Sequence, residues 1–165
     1  MDLTIRLPGG TFNFRVAAVM IHEGKLLIMR DSLSPCWYLP GGRVQLQERA
    51  EQALVRELQE ELGICATLQR PLWLAQSFYR EPVTGESYHE LGLYLLTDIS
   101  KTDLLSRGEI FCAREEQWIN TFRWVDFDSL RRLRLYPQFL KEQIFHLPQA
   151  LRLVTDIRPP LPGSH

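Results

Sequence analysis

Glu57, Glu60 and Glu61 are three carboxylates that fall close together in one short segment of the sequence. The leucines of the same segment recur every fourth residue, which predicts a helix. Gly63 follows the last of them and is typical of a helix that ends in a left-handed residue. At about 100° of rotation per residue, the three carboxylates share one arc of this helix. The leucines occupy the neighbouring arc and are available to a core.

Carboxylates at these spacings repel one another by a few tenths of a kcal/mol per pair. A bound cation relieves that repulsion, and clustered carboxylate oxygens suit a hard divalent ion, Mg²⁺ or Mn²⁺. Magnesium is usually held by few protein carboxylates together with phosphate oxygens of a substrate, so phosphate chemistry is the natural expectation. The alternative is a solvated acidic face on a surface helix.

The residues around the carboxylates form a longer pattern with fixed spacing. It runs Gly42, Glu48, Arg56-Glu57-Leu58, Glu60-Glu61 and Gly63-Ile64, with five, seven, one and one residues between these groups. In this pattern the sequence resembles the Nudix hydrolases, and every position of the Nudix box is matched. The resemblance implies an α/β fold, an α/β/α sandwich with a mixed sheet, and metal-dependent hydrolysis of a diphosphate linkage.

The resemblance also implies a role for each residue of the box. The implied catalytic residues are Glu48, Arg56, Glu57, Glu60 and Glu61. The metal ligands among the box and its flank are the carbonyl of Gly41 and the carboxylates of Glu57, Glu60 and Glu61. Glu48 and Arg56 are expected to lock the loop to the helix and so to orient the ligands.

A general base must take a proton from the attacking water, and base catalysis of this kind contributes about 10²–10⁴-fold. Nudix enzymes place this base differently, and an acid in a loop before a late strand often supplies it or a further metal ligand. Glu60, Glu115 and Glu116 all remain candidates for the base. Glu115 and Glu116 are also the candidates for a fourth acid in the site.

Four side chains outside the box are candidates for contact with the substrate: Arg15, Trp37, Tyr79 and His89. Arg15 lies near a strand end, where it can meet phosphates, although a solvated charge is the alternative. Trp37 precedes the double glycine and either stacks on a base or packs in the core. Tyr79 and His89 belong to a predicted hairpin that also carries Phe78 and Tyr88, and ordinary packing is the alternative for each.

The rest of the chain predicts a single domain over residues 1–157, followed by a proline-rich tail over 158–165. Strands are expected before the box and in the hairpin after it, with Pro71 interrupting the first strand of that hairpin. Residues 98–117 are polar and are expected to be irregular. A helix is expected from Tyr136 to Leu147, because its apolar residues recur at helical spacing.

Composition excludes several other classes of protein. The formal net charge is −1, so no bulk attraction to nucleic acid or to an anionic membrane is expected. No apolar run is long enough to span a bilayer, and the first ten residues do not have the form of a secretory signal. Three widely spaced cysteines favour a reducing compartment, and we expect a cytoplasmic protein.

The expected activity is Mg²⁺-dependent hydrolysis of a nucleoside diphosphate linked to a further group. Nucleoside triphosphates, nucleotide sugars such as ADP-ribose, and dinucleoside polyphosphates all fit, and so the partner is a small nucleotide. One alternative is a nucleotide-sensing domain of the same fold that does not catalyse. Another is a prenyl diphosphate isomerase, whose catalytic cysteine pattern is not evident. A homodimer is possible.

Overall fold

The computed structural model describes residues 1–159, which form two β-sheets, two α-helices and two 3₁₀ turns. The strands are β1 (Thr4–Leu7), β2 (Gly10–Val19), β3 (Ile21–His22), β4 (Lys25–Asp31), β5 (Gly41–Arg43), β6 (Thr67–Arg80), β7 (Ser87–Asp98), β8 (Ile110–Glu115), β9 (Trp118–Asp126) and β10 (Arg152–Ile157). The helices are α1 (Ala50–Leu62) and α2 (Leu140–Gln143), and the 3₁₀ turns are Leu104–Arg107 and Phe127–Arg132. The tail beyond Pro159 lies outside the described residues.

The larger sheet is mixed, as expected. Its order is β1-β2-β7-β6-β10, with β5 also paired to β2; β2 with β7 and β6 with β10 are parallel, and the other pairs are antiparallel. The smaller sheet is antiparallel, in the order β3-β4-β9-β8. Because parallel strands need long connections, the mixed pairing brings distant segments of the chain together.

Helical segments cover both faces of the sheets, which confirms the expected α/β/α sandwich. On one face, Leu54 and Leu58 of α1 are fully buried in a cluster with Val16 of β2 and Phe122 of β9. On the other face, the C-terminal helical segment contributes Leu140 to a second cluster. The predicted box helix and its left-handed end are also confirmed, since α1 ends at Leu62 and Gly63 has φ 65°.

Three local expectations about secondary structure were wrong. Pro71 does not interrupt β6, because the strand absorbs it through register shifts on either side. Residues 98–117 are not wholly irregular, because β8 forms a hairpin with β9. The expected helix from Tyr136 to Leu147 is reduced to α2. Within residues 136–147, the N–H groups of Gln143 and Ile144 donate to the fourth residue back, and those of the neighbouring turns donate to the third.

No helix in residues 1–159 is long and apolar enough to cross a membrane.

Candidate active site

The double glycine forms β5 and lies between the larger sheet and α1. Gly41 has φ 144°, and a side chain there would collide with the backbone of Val16. A Cβ on Gly42 would collide with the carboxylate of Glu57. Both positions therefore need glycine because of close contacts, and Gly42 lets a carboxylate of α1 lie directly against the loop.

Arg56 ties this loop to three carboxylates. Its guanidinium donates two hydrogen bonds to Glu48, at 2.8 and 2.9 Å, one to Glu57 at 2.7 Å and a longer one to Glu60 at 3.4 Å. It also donates to the carbonyl of Arg43 at 3.1 Å. The hydrogen bond from Arg56 is the main cause that lowers the pKa of Glu48. This network has the loop-locking form that the resemblance implies.

Carboxylate oxygens of Glu57, Glu60 and Glu115 lie within 4.8 Å of one another. Such a set of hard oxygen donors fits a divalent cation such as Mg²⁺ or Mn²⁺. Burial raises the pKa of Glu57, although the neighbouring Arg56 opposes that shift. The acidic group supports a metal site at the expected place. Its third carboxylate is that of Glu115 and not that of Glu61, which the resemblance implied as a ligand.

Glu115 reaches the group because it ends β8, and Asn120 of β9 donates to its carboxylate at 3.1 Å. Glu116 follows in the hairpin turn, with φ 51° and an exposed side chain, and it does not belong to the group. The structure therefore brings one of the two candidate acids to the site.

Glu61 occupies a different position from the other carboxylates of the box. It is 6% exposed, and its carboxylate accepts a hydrogen bond from the N–H of Gly41 at 3.0 Å. Burial raises its pKa well above the usual range, and the charge of Arg15 opposes that rise. Glu61 thus anchors the backbone of the glycine loop through this hydrogen bond. It also lines the adjoining cavity.

A cavity of about 540 Å³ opens beside the acids, between the two sheets. Charged and polar residues of its wall include Arg15, Asp31, Glu61, Glu90, Glu115 and Arg158. Aromatic residues of its wall are Trp37, Tyr38, Tyr79, Trp118 and Tyr136. Cys36 also lines it, and burial raises the pKa of that thiol. Its size and its combination of aromatic, apolar and charged side chains suit a charged small molecule.

Arg15 lies where the cavity meets the glycine loop. Its guanidinium donates to the carbonyl of Leu39 at 3.0 Å and to that of Gly41 at 3.2 Å. Burial lowers the pKa of Arg15, but the carboxylates of Glu90 and Glu61 more than offset this and raise it. A carbonyl has two lone pairs, so the bond from Arg15 leaves the Gly41 oxygen able to take a second partner.

The other three candidate substrate contacts differ in placement. Trp37 is 9% exposed and lies under the guanidinium of Arg30, yet its edge reaches the cavity. Tyr79 also lines the cavity. His89 points to the opposite face of the sheet, where it packs on Phe12 and Phe78. It is not brought to the cavity.

Five charged residues of the cavity wall were not singled out from the sequence: Asp31, Arg80, Glu81, Glu90 and Arg158. Successive side chains of a strand point to opposite faces of the sheet. His89 faces away from the cavity, so its neighbour Glu90 on β7 faces the cavity. The only sequence signal was that alternation, and it does not say which face is functional. Arg158 follows the last strand, and its guanidinium lies 4.0 Å from the centre of the Tyr79 ring.

Comparison with known proteins identifies the same family as the box. The model for the NUDIX domain matches residues 12–147. The ADP-ribose pyrophosphatase of Methanocaldococcus jannaschii is 33% identical over 126 residues, which are 73% of this chain and 70% of that protein. The CTP pyrophosphohydrolase of Escherichia coli is 44% identical over 57 residues, 32% of this chain and 42% of that protein. This chain thus spans less than half the length of the latter.

Among solved structures, that of the E. coli ORF135 protein superimposes with a TM-score of 0.51 at 26% identity. The match covers 85% of this chain and 93% of that one. The family model covers most of the chain, and the box, the loop and the acidic group agree with it. The chain therefore belongs to the Nudix family.

Proposed function

We propose that this chain is a pyrophosphohydrolase that cleaves the diphosphate linkage of a nucleotide with the help of a divalent ion, Mg²⁺ or Mn²⁺. The observation that carries the proposal is the convergence of Glu57, Glu60 and Glu115 beside a cavity of nucleotide size. We also propose that residues 1–157 act as one domain. The candidate substrates are nucleoside triphosphates, nucleotide sugars and dinucleoside polyphosphates. The names of the two curated relatives fall within these classes.

The carboxylates of Glu57, Glu60 and Glu115, with the carbonyl of Gly41, would hold the ion. A divalent ion there would neutralise charge on the diphosphate and lower the pKa of a bound water molecule. Arg56 keeps Glu57 and Glu60 oriented through its hydrogen bonds. Glu61 fixes the backbone of Gly41, so the loop carbonyl points in a constant direction.

The proton of the attacking water needs an acceptor within hydrogen-bond reach of the reacting phosphorus. Glu60 and Glu115 lie within the acidic group, whereas Glu116 is in the exposed turn. The geometry thus favours Glu60 or Glu115 as base. Arg15 and Arg158 line the cavity and are placed to offset phosphate charge.

The proposal is tested by measuring product release from a panel of nucleotides with Mg²⁺, with the products identified by mass. Glu57→Gln removes one ligand charge but keeps the shape of the side chain. Even the outer partners of a metal ligand change activity 10–100-fold, so a loss of at least about 100-fold is expected. Glu51→Gln, an exposed carboxylate on the same helix, is the matched control.

Near wild-type turnover in Glu57→Gln would show that the metal assignment is wrong. A wild-type protein that binds nucleotides but turns over none of the panel would instead be a nucleotide sensor.

A further inference from the structure

Glu90 lies deep in the cavity wall, on β7 of the larger sheet. Its side chain is 5% exposed, and it shares the cavity with Glu61 and Glu115. Both Glu90 and Glu61 act on the charge of Arg15, which lies at the junction of the cavity with the glycine loop. Along β2, Asn13 lies opposite Glu90 and Ala17 lies opposite Gly41, with Arg15 between them. Glu90 is therefore on the far side of Arg15 from Gly41.

The two oxygens of the Glu90 carboxylate are unequal. Oε2 accepts hydrogen bonds from Nδ2 of Asn13 at 2.9 Å and from the hydroxyl of Tyr79 at 3.2 Å. Burial and the nearby Glu90 raise the pKa of Tyr79, so this hydroxyl stays a donor. Oε1 accepts no hydrogen bond within residues 1–159. The buried Oδ1 of Asn13 likewise has no partner in that part of the chain.

A role confined to stability accounts poorly for this arrangement. Burying a carboxylate costs several kcal/mol unless ion pairs and hydrogen bonds offset the loss of hydration. Within residues 1–159 no lysine, arginine or histidine forms an ion pair with Glu90. Arg15 directs its hydrogen bonds to the carbonyls of Leu39 and Gly41. Of the two unpaired atoms, Oδ1 of Asn13 is buried, whereas Oε1 of Glu90 belongs to a residue that lines the cavity. A ligand that binds this carboxylate oxygen must bring a donor.

The neighbouring side chains indicate which part of a nucleotide brings that donor. Trp37, Tyr79 and Tyr136 give the cavity an aromatic wall, which suits a planar base. The exocyclic amino group projects furthest from the edge of a base, and it is the donor that carboxylates take from cytosine in nucleic acids. An oxo group at the same ring position would instead place its lone pairs against the carboxylate.

We propose that Glu90 is a specificity-determining residue, which accepts a hydrogen bond from the exocyclic amino group of the substrate base. The site then favours nucleotides whose base has such an amino group, and the pairs that differ only in this group are cytosine with uracil and adenine with hypoxanthine. This inference rests on the proposed nucleotide hydrolysis and deepens it.

The test compares kcat/KM within two matched pairs, CTP with UTP and ATP with ITP, which differ by the amino and oxo groups. The wild-type protein is expected to prefer the amino member of at least one pair by about 10-fold or more. Glu90→Gln is expected to reduce that ratio to less than about 3-fold, because the carboxamide can also donate to an oxo group. Asp98→Asn makes the same change on the same strand and should keep the ratio, because within the described residues 1–159 this carboxylate accepts hydrogen bonds only from Ser100.

A ratio is insensitive to the fraction of folded protein, so a destabilised variant still reports. The inference is overturned if Glu90→Gln lowers all four values by one common factor, since Glu90 would then only position Arg15. It is also overturned if the wild type shows no preference in either pair. If the wild type hydrolyses none of the four, nucleoside triphosphates are not its substrates, and the proposed activity is decided by the rest of the nucleotide panel. The dissociation constants of the wild type and of Glu90→Gln for the same pairs then show whether Glu90 binds the amino group.

Discussion

At the scale of single residues, Arg56 connects more of the site than any carboxylate does. Its five hydrogen bonds go to Glu48, Glu57, Glu60 and the carbonyl of Arg43. Only the planar fork of a guanidinium can bind Glu48 through two parallel bonds while it also holds Glu57. The orientation of the acidic group therefore depends on arginine geometry and not on positive charge alone.

Arg56→Lys tests this dependence. The lysine keeps the charge but cannot make the paired bonds, so kcat/KM is expected to fall about 10–100-fold. Melting temperature, measured alongside by calorimetry, shows whether the fold remains. Arg49→Lys, at the exposed start of α1, provides the control, because its only ion pair is the exposed one with Glu51 in residues 1–159. Equal activity of Arg56→Lys and Arg49→Lys would show that the site does not depend on the guanidinium geometry of Arg56.

At the scale of elements, the two glycines around α1 have separable purposes. Gly42 lacks a left-handed φ and needs glycine only because its neighbour is the carboxylate of Glu57. Gly63 has φ 65° but nothing within 4 Å of an added Cβ. One glycine therefore serves the site, and the other ends the helix.

Alanine at each position separates these purposes. Gly42→Ala is expected to displace the Glu57 carboxylate and to lower kcat/KM about 100-fold, since small displacements of reacting groups have effects of that size. Gly63→Ala is expected to lower the free energy of unfolding by about 1–2 kcal/mol and to leave activity unchanged. Urea denaturation and turnover measured on both proteins check the pair. If Gly63→Ala lowered activity and Gly42→Ala did not, the two glycines would not have these separate roles.

The β8–β9 hairpin decides between the two acids that the sequence left open. Glu115→Gln is expected to weaken Mg²⁺ binding about 10-fold or more, because its oxygen lies with those of Glu57 and Glu60. Glu116→Gln changes an exposed turn residue and should alter binding less than about 2-fold. Titration calorimetry with Mg²⁺ measures both. A larger effect of Glu116→Gln would mean that the hairpin rearranges when the ion binds.

At the scale of the whole molecule, local spacing predicted the box helix, and the fold class followed from the resemblance to a known family. Leu54, Leu58 and Gly63 are sufficient to place α1. The cavity was beyond such reasoning, since Arg15 and Glu90 come from one sheet and Glu115 from the other. Only the tertiary pairing of strands shows that Glu90, and not His89, faces the same space.

The other predictions also divide into those that local spacing decides and those that tertiary contacts decide. Glu115 could not be chosen over Glu116 from sequence, because the choice depends on the residue at which β8 ends. The expected C-terminal helix is short because most of the backbone hydrogen bonds within residues 137–146 run to the third residue back, a pattern that apolar spacing does not reveal. The possible homodimer stays a prediction.

The position of Cys36 has a practical consequence for following occupancy of the cavity. Cys65 and Cys112 are exposed, whereas Cys36 is 9% exposed. With both exposed cysteines replaced by serine, the single remaining thiol should react slowly with iodoacetamide, because its raised pKa leaves little thiolate near neutral pH. A nucleotide in the cavity should slow the alkylation further, and mass spectrometry measures the rate. An unchanged rate at saturating nucleotide would place the ligand elsewhere, whereas a slower rate would make one native sulfur atom a chemical reporter of binding.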